Sequence, residues 1–205
     1  MKQPRKRDEQ PSEKKVSPLA AAVDEAARVV KEGGLILYPT DTVWGIGCDA
    51  TNEEAVGRIY ALKRSENKHS MLVLCSSADE IVRYVNRAPG IAFEVLEMAT
   101  SPLTLILPGA VGVAKNLIPD EGTLGVRVPD HDFCQRLLRK LGRPLVSTSA
   151  NLTGEKTPRT LPEVAQEILA GVDYVVNPRF QGHPTGKASS IIAFGENGEV
   201  RVIRE

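Results

Sequence analysis

The chain has 205 residues, 41% of them apolar and 25% charged, with a mean hydropathy of -0.18. Folding at this length buries about 70% of the unfolded surface, so a sizeable core is available, and collagen, coiled coil or a disordered tail are excluded as overall descriptions. Lysine plus arginine and aspartate plus glutamate balance at 26 each, which removes any global basic field that would draw the protein to nucleic acid or an anionic membrane.

The three cysteines, Cys48, Cys75 and Cys134, stand far apart beside apolar stretches, the pattern of buried reduced thiols rather than of a disulfide frame or a zinc site. The longest apolar runs fall well short of the roughly 20 residues that span a bilayer, and the N-terminus is polar. These features predict a soluble cytoplasmic protein with no membrane partner.

In chain order, residues 1–16 carry six positive and three negative side chains and almost no apolar ones, so burial cannot offset ordering entropy there. They read as a flexible basic tail, with Arg5, Lys6 and Arg7 available as an arm for weak direct RNA binding. Residues 17–205 then carry a net charge of -3 and read as one domain. Ser17 followed by Pro18 opens a helix whose Val23, Ala26, Ala27 and Val30 share a face, and Gly33 stops it. Leu35 to Tyr38 is a short buried strand, followed by a polar loop and a flexible Gly45-Ile46-Gly47. Thr51 with Glu54 forms a capping box for a helix to about Lys63, and Met71 to Cys75 is the next strand.

Ser77 and Glu80 cap another helix, Gly90 to Ala99 is helical, and Leu103 to Leu107 and Leu124 to Val128 are strands. Asp130 can cap a helix that Gly142 ends, Leu145 to Thr148 is extended, and Thr160 with Glu163 caps a last helix. Asp173 to Val176, Ser189 to Phe194 and Glu199 to Ile203 complete the strands, the last two joined by the turn Glu196-Asn197-Gly198. The prediction is a single α/β domain with a twisted mixed parallel and antiparallel sheet and flanking helices.

In open α/β sheets ligands gather at the carboxyl ends of strands, and two loops there are dense in hydroxyls: Pro39-Thr40-Asp41-Thr42 and Ser147-Thr148-Ser149-Ala150-Asn151. Such loops hold a phosphate, carboxylate or hydroxyl, or else satisfy their own backbone. Lys63 continues the series Val56, Ile59, Tyr60 and lies on the inward face of its helix, where it points to a cleft, snorkels, or caps the last carbonyls. Arg127 shares a strand face with Gly125, which leaves room for a ligand. Together these residues suggest an anion site. Gly182 to Ala188 is one residue short of a P-loop and precedes a strand, no dinucleotide fingerprint follows a strand, and His69, His131 and His183 have no second metal ligand at useful spacing.

The run Gly34-Leu35-Ile36-Leu37-Tyr38-Pro39-Thr40-Asp41-Thr42-Val43-Trp44-Gly45-Ile46-Gly47 resembles the opening signature of the YrdC-like family, the L-threonylcarbamoyladenylate synthases. The resemblance continues through Ile59 to Arg64, Ser101 to Thr104, Gly125 to Pro129, Ser147 to Asn151 with Gly154, and Ala188 to Ile192, in the short form without an appended domain. It implies an open polar cavity and a nucleotidyltransferase that joins threonine, bicarbonate and ATP into threonylcarbamoyl-AMP and pyrophosphate, with Mg2+ accompanying ATP. The product would serve tRNA indirectly, through a downstream transferase that makes threonylcarbamoyladenosine.

Carried over position by position, Thr40, Arg127, Ser189 and Ser190 would hold threonine, and Lys63, Arg64, Thr104, Ser147, Ser149, Asn151 and Arg204 would hold ATP, with no covalent nucleophile. The family reads lysine, any residue, arginine, whereas here Lys63-Arg64-Ser65 brings the arginine one position early. On a helix that shift turns the side chain by about 100°, so Arg64 reaches the phosphates only if the helix ends at Lys63. The alternatives within the fold are a non-catalytic RNA-binding member and a YciO-like paralogue with another acceptor.

Overall fold

Ser17 caps the first helix through its side chain, which accepts from the Ala20 amide at 3.1 Å, and Pro18 occupies the first helical position of α1 (Pro18–Lys31). The structure, a computed structural model, describes residues 16–65 and 71–205; the basic tail read over residues 1–16 lies, but for exposed Val16, outside the described residues. Further helices are α2 (Glu53–Lys63), α3 (Ala78–Ile81), α4 (Gly90–Met98), α5 (Asp132–Leu141) and α6 (Gln166–Gly171).

Among the described residues nine strands form one sheet: β1 (Ile36–Tyr38), β2 (Gly45–Gly47), β3 (Leu72–Leu74), β4 (Leu103–Pro108), β5 (Thr123–Arg127), β6 (Leu145–Ser149), β7 (Tyr174–Val175), β8 (Ser190–Phe194) and β9 (Val200–Arg204). Their order is β7-β1-β2-β6-β3-β5-β4-β8-β9. The pairs β1/β7, β3/β5 and β4/β8 are parallel and the other five antiparallel, the mixed sheet that the closing hairpin predicts.

Successive strand residues face opposite sides, and the core divides accordingly. Ile36 and Tyr38 join Val23, Ala27, Phe133 and Leu137 under α1 and α5, whereas Leu35 and Leu37 join Trp44, Val56, Ile59 and Leu105 on the other side. The described residues include no helix long and apolar enough to cross a membrane.

Four local expectations shift. Asn52, not Thr51, caps α2, its side chain accepting from Ala55, because the Thr51 amide and hydroxyl are both held by the Asp49 carboxylate. His131 rather than Asp130 stands at the start of α5. Thr160 and Glu163 bond to each other across a single 3-10 turn, and α6 begins only at Gln166. Finally, Gly45–Gly47 is not a flexible loop but a buried strand between β1 and β6. A Cβ on Gly47 would stand 2.6 Å from the Val146 carbonyl oxygen and 2.8 Å from the Tyr38 ring, so glycine is needed there for close strand approach rather than for motion.

Candidate active site

The carboxyl ends of strands are only part of the site: a cavity of about 260 Å³ lies along one face of the sheet, floored by alternate residues of neighbouring strands. Gly45 of β2, Ser147 and Ser149 of β6, Gly125 and Arg127 of β5, Thr104 and Ile106 of β4, and Arg204 of β9 all line it. The strand register aligns them, since Gly45 pairs with Ser149, Leu105 with Val126, and Ile191 with Arg204. Met71, Leu72, Leu117, Pro119 and Trp44 supply apolar wall. An apolar lining with a few convergent polar groups is the ordinary composition of a small-molecule site.

Arg127 is the last residue of β5 and is buried. Its Nη1 donates to the Thr42 hydroxyl at 2.9 Å, and its Nη2 pairs with Asp41 at 3.0 Å. Its Nε is buried with no hydrogen-bond partner among the described residues. A buried guanidinium with an unsatisfied N–H carries the cost of desolvation until an acceptor arrives. Thr42 and Thr40 continue the chain of bonds. Thr40 Oγ1 accepts from the amides of Thr42 and Val43 and donates to the Val43 carbonyl at 2.7 Å, so the proton in its 2.8 Å bond with Thr42 comes from Thr42. Thr40 therefore builds the turn that presents Thr42 to Arg127.

Opposite them, Thr104 and Ser189 share a hydroxyl hydrogen bond of 2.7 Å, and Arg204 Nε donates to the Ser189 carbonyl at 2.8 Å. Burial, and then the neighbouring charge of Arg127, lower the Arg204 pKa from its ordinary value. Two guanidinium groups thus face one cavity whose described lining contains no carboxylate. Such a site is made for anions. Among the described residues no group of three or more acidic, histidine or cysteine side chains is placed to hold a metal ion.

Seven of the eleven predicted site residues line this cavity: Thr40, Thr104, Arg127, Ser147, Ser149, Ser189 and Arg204. The other four lie outside its lining. Lys63 is buried, but its ammonium donates to the backbone carbonyls of Ser149 and Asn151, the latter at 2.7 Å, and so holds the β6 loop from beneath. Burial lowers its pKa to about 8. The Asn151 side chain closes the same loop by donating to the carbonyls of Leu152 and Glu155.

Helix α2 does end at Lys63, with Arg64 in a left-handed conformation at φ 52°. The Arg64 side chain, 71% exposed, extends to Glu167 of α6 at 3.1 Å. Ser190 is the first residue of β8, and because the next strand residue, Ile191, lines the cavity, Ser190 faces the other way. Among lining residues absent from the predicted set, Thr42 stood in the polar loop already singled out. Thr157 carried no signal, since an isolated Lys-Thr-Pro reads as an ordinary turn.

The Sua5/YciO/YrdC family model, described as "Telomere recombination", matches residues 28–205. The threonylcarbamoyl-AMP synthase of Idiomarina loihiensis is 38% identical over 75% of this chain and 84% of its own length. P. abyssi Sua5, in a crystal structure "complexed with L-threonine", superposes with a TM-score of 0.76 at 26% identity over 84% of this chain, which spans 50% of that longer one. E. coli YciO superposes with a TM-score of 0.76 at 27% identity over 90% of this chain and 89% of its own. With a match over most of its length and a cavity built from all but one of the segments that carried the resemblance, the chain belongs to the Sua5/YciO/YrdC family.

Proposed function

We propose that the protein is a threonylcarbamoyl-AMP synthase, joining threonine, bicarbonate and ATP with release of pyrophosphate. The single observation that carries this reading is the buried Arg127, which ends a strand in the cavity wall with an unsatisfied Nε, held in place by the Thr42 hydroxyl and the Asp41 carboxylate of one loop. It fits the carboxylate of an amino acid. Arg204, Thr104, Ser147 and Ser149 then face the nucleotide, and Thr40, Thr42 and Ser189 shape the threonine end.

The chemistry requires this arrangement. The threonine amine and bicarbonate give a carbamate with loss of one water, and a carbamate oxygen then attacks the α-phosphorus of ATP while the bond to the pyrophosphate oxygen breaks. Two anions meet in that step, so fixed cations and in-line positioning lower the barrier without a covalent nucleophile. Lys63 acts through the loop it anchors rather than by touching phosphate. Any Mg2+ arrives on the nucleotide phosphates, since the lining offers it no carboxylate. The segment 181–189, tied to Trp44 and Thr42 of the cavity wall and to Asp41 beside it, excludes water from the labile anhydride.

A reducing cytoplasm suits the three cysteines, all free and buried, and the product would pass to a transferase acting on tRNA. A YciO-like role with another acceptor is the second reading, favoured by Arg64 turning to Glu167 instead of the cavity. Incubation with ATP, bicarbonate and labelled threonine separates the two. Threonine-dependent pyrophosphate release with labelled threonylcarbamoyl-AMP is the expected result; ATP turnover indifferent to threonine would overturn the proposal in favour of the second reading.

A further inference from the structure

A second cavity, of about 470 Å³, stands on the far side of the Arg127–Asp41 ion pair: Arg127 lines the first cavity and Asp41 lines the second. Its polar lining has the opposite sign. Asp41, Glu97 and Asp130 contribute three carboxylates against one imidazole, that of His183, and among the described residues no lysine or arginine lines it. Its floor is apolar, built from Leu96, Leu103 and Val128. No set of three ligating side chains is placed to hold a metal among the described residues, so spread-out carboxylates over an apolar floor suit an organic cation with a body to bury.

The two cavities are also mechanically joined. Thr185 donates its amide to the Asp41 carbonyl and Gly186 to that of Thr42, each at 2.9 Å. The same segment lines the second cavity at Thr185 and the first at Ser189. Asp41 neutralises Arg127 with side chains 10% and 4% exposed respectively, so an incoming carboxylate must share the guanidinium with it. A cation on Asp41 removes that competition.

We propose that the second cavity binds a small organic cation, an ammonium or guanidinium on a short aliphatic body, and that this binding strengthens carboxylate binding at Arg127 through Asp41. The coupling is reciprocal, as linkage requires. The binding half stands alone; the coupling half rests on the reading of the first cavity as a threonine site.

Calorimetry on the full chain tests both halves, with n-butylammonium and n-butylguanidinium as probes, n-butanol as the neutral body and Mg2+ alone as the metal. Saturable binding of both organic cations with Kd on the order of millimolar is expected, with none for butanol or Mg2+. Asp130→Asn combined with Glu97→Gln should weaken it about tenfold, and Thr100→Trp, which fills the cavity, should abolish it. Threonine should bind about threefold or more tighter in saturating butylguanidinium. Absence of saturable cation binding, equal binding of butanol, preferential binding of Mg2+, or indifference to both variants overturns the site. Unchanged threonine affinity overturns the coupling, whereas threonine failing to bind under every condition overturns the proposed function and leaves the cation result standing.

Discussion

The ammonium of Lys63, at the last residue of α2, lies 2.7 Å from the carbonyl oxygen of Asn151, 88 positions away in the chain. This contact and its companion to Ser149 make a helix terminus the support of a strand-end loop. Replacing Lys63 by Met should leave the part-buried Asn151 carbonyl without a donor and that of Ser149 with only the Asn151 amide, and cost about 1–3 kcal/mol of stability. Because Ser149 lines the cavity, KM for ATP should rise more than KM for threonine. Urea unfolding and steady-state kinetics with each substrate varied check the two parts.

The same lysine predicts a pH dependence. Burial lowers its pKa to about 8 in the folded protein, against about 10.4 in an unfolded chain. Between those values the unfolded state binds the extra proton, so stability rises with pH across that window and is flat in this term below it. Lys63→Met lacks the titration. The stability difference between wild type and variant should therefore grow in favour of wild type from pH 8 to 10.4, and a difference constant over that range would refute the assignment.

Arg127 and Asp41 should behave as a buried pair. Arg127→Met leaves the Asp41 carboxylate without its cation and should destabilise by about 3–5 kcal/mol. Adding Asp41→Asn should recover much of that stability. Threonine binding should not recover, since the carboxylate partner is gone. Chemical denaturation and threonine calorimetry on both variants distinguish a structural arginine, for which binding would return with stability.

Arg64 predicts the opposite pattern. Its ion pair with Glu167 is exposed on both sides, so Arg64→Ala should change stability by less than about 1 kcal/mol and leave ATP-dependent turnover near wild type. Arg64→Gly should raise the melting temperature, because φ 52° at the helix end strains any residue with a Cβ. Arg64→Val should lower it.

Gln181 ties three segments together. Its side chain accepts from the buried Trp44 indole at 3.0 Å and donates to the Arg159 carbonyl, while its own carbonyl bonds to His131. Gln181→Ala should orphan the indole N–H, cost about 1–3 kcal/mol, and speed limited proteolysis within residues 181–188. Unchanged cleavage rates would show that the segment is held by Thr185 and Gly186 alone.

Local chemistry determined much of this protein directly. Ser17-Pro18 and Gly142 mark helix ends because capping satisfies backbone groups within a few residues, and the period-2 pattern through Arg127 placed it correctly beside Gly125 on one strand face. The hydroxyl-rich loops were visible as ligand candidates for the same local reason. Tertiary structure decided the rest. Gly45–Gly47 looks like a hinge until Val146 and Tyr38 close in on it; Lys63 is read as inward from its helix face, but which acceptors it meets depends on a loop 88 residues away. Helical spacing likewise could not say whether Arg64 would turn to the cavity or to Glu167, because that choice rests on a left-handed residue and on where α6 packs. Periodicity specifies the face a side chain occupies, whereas the partner on that face is set by which distant segments the fold brings there.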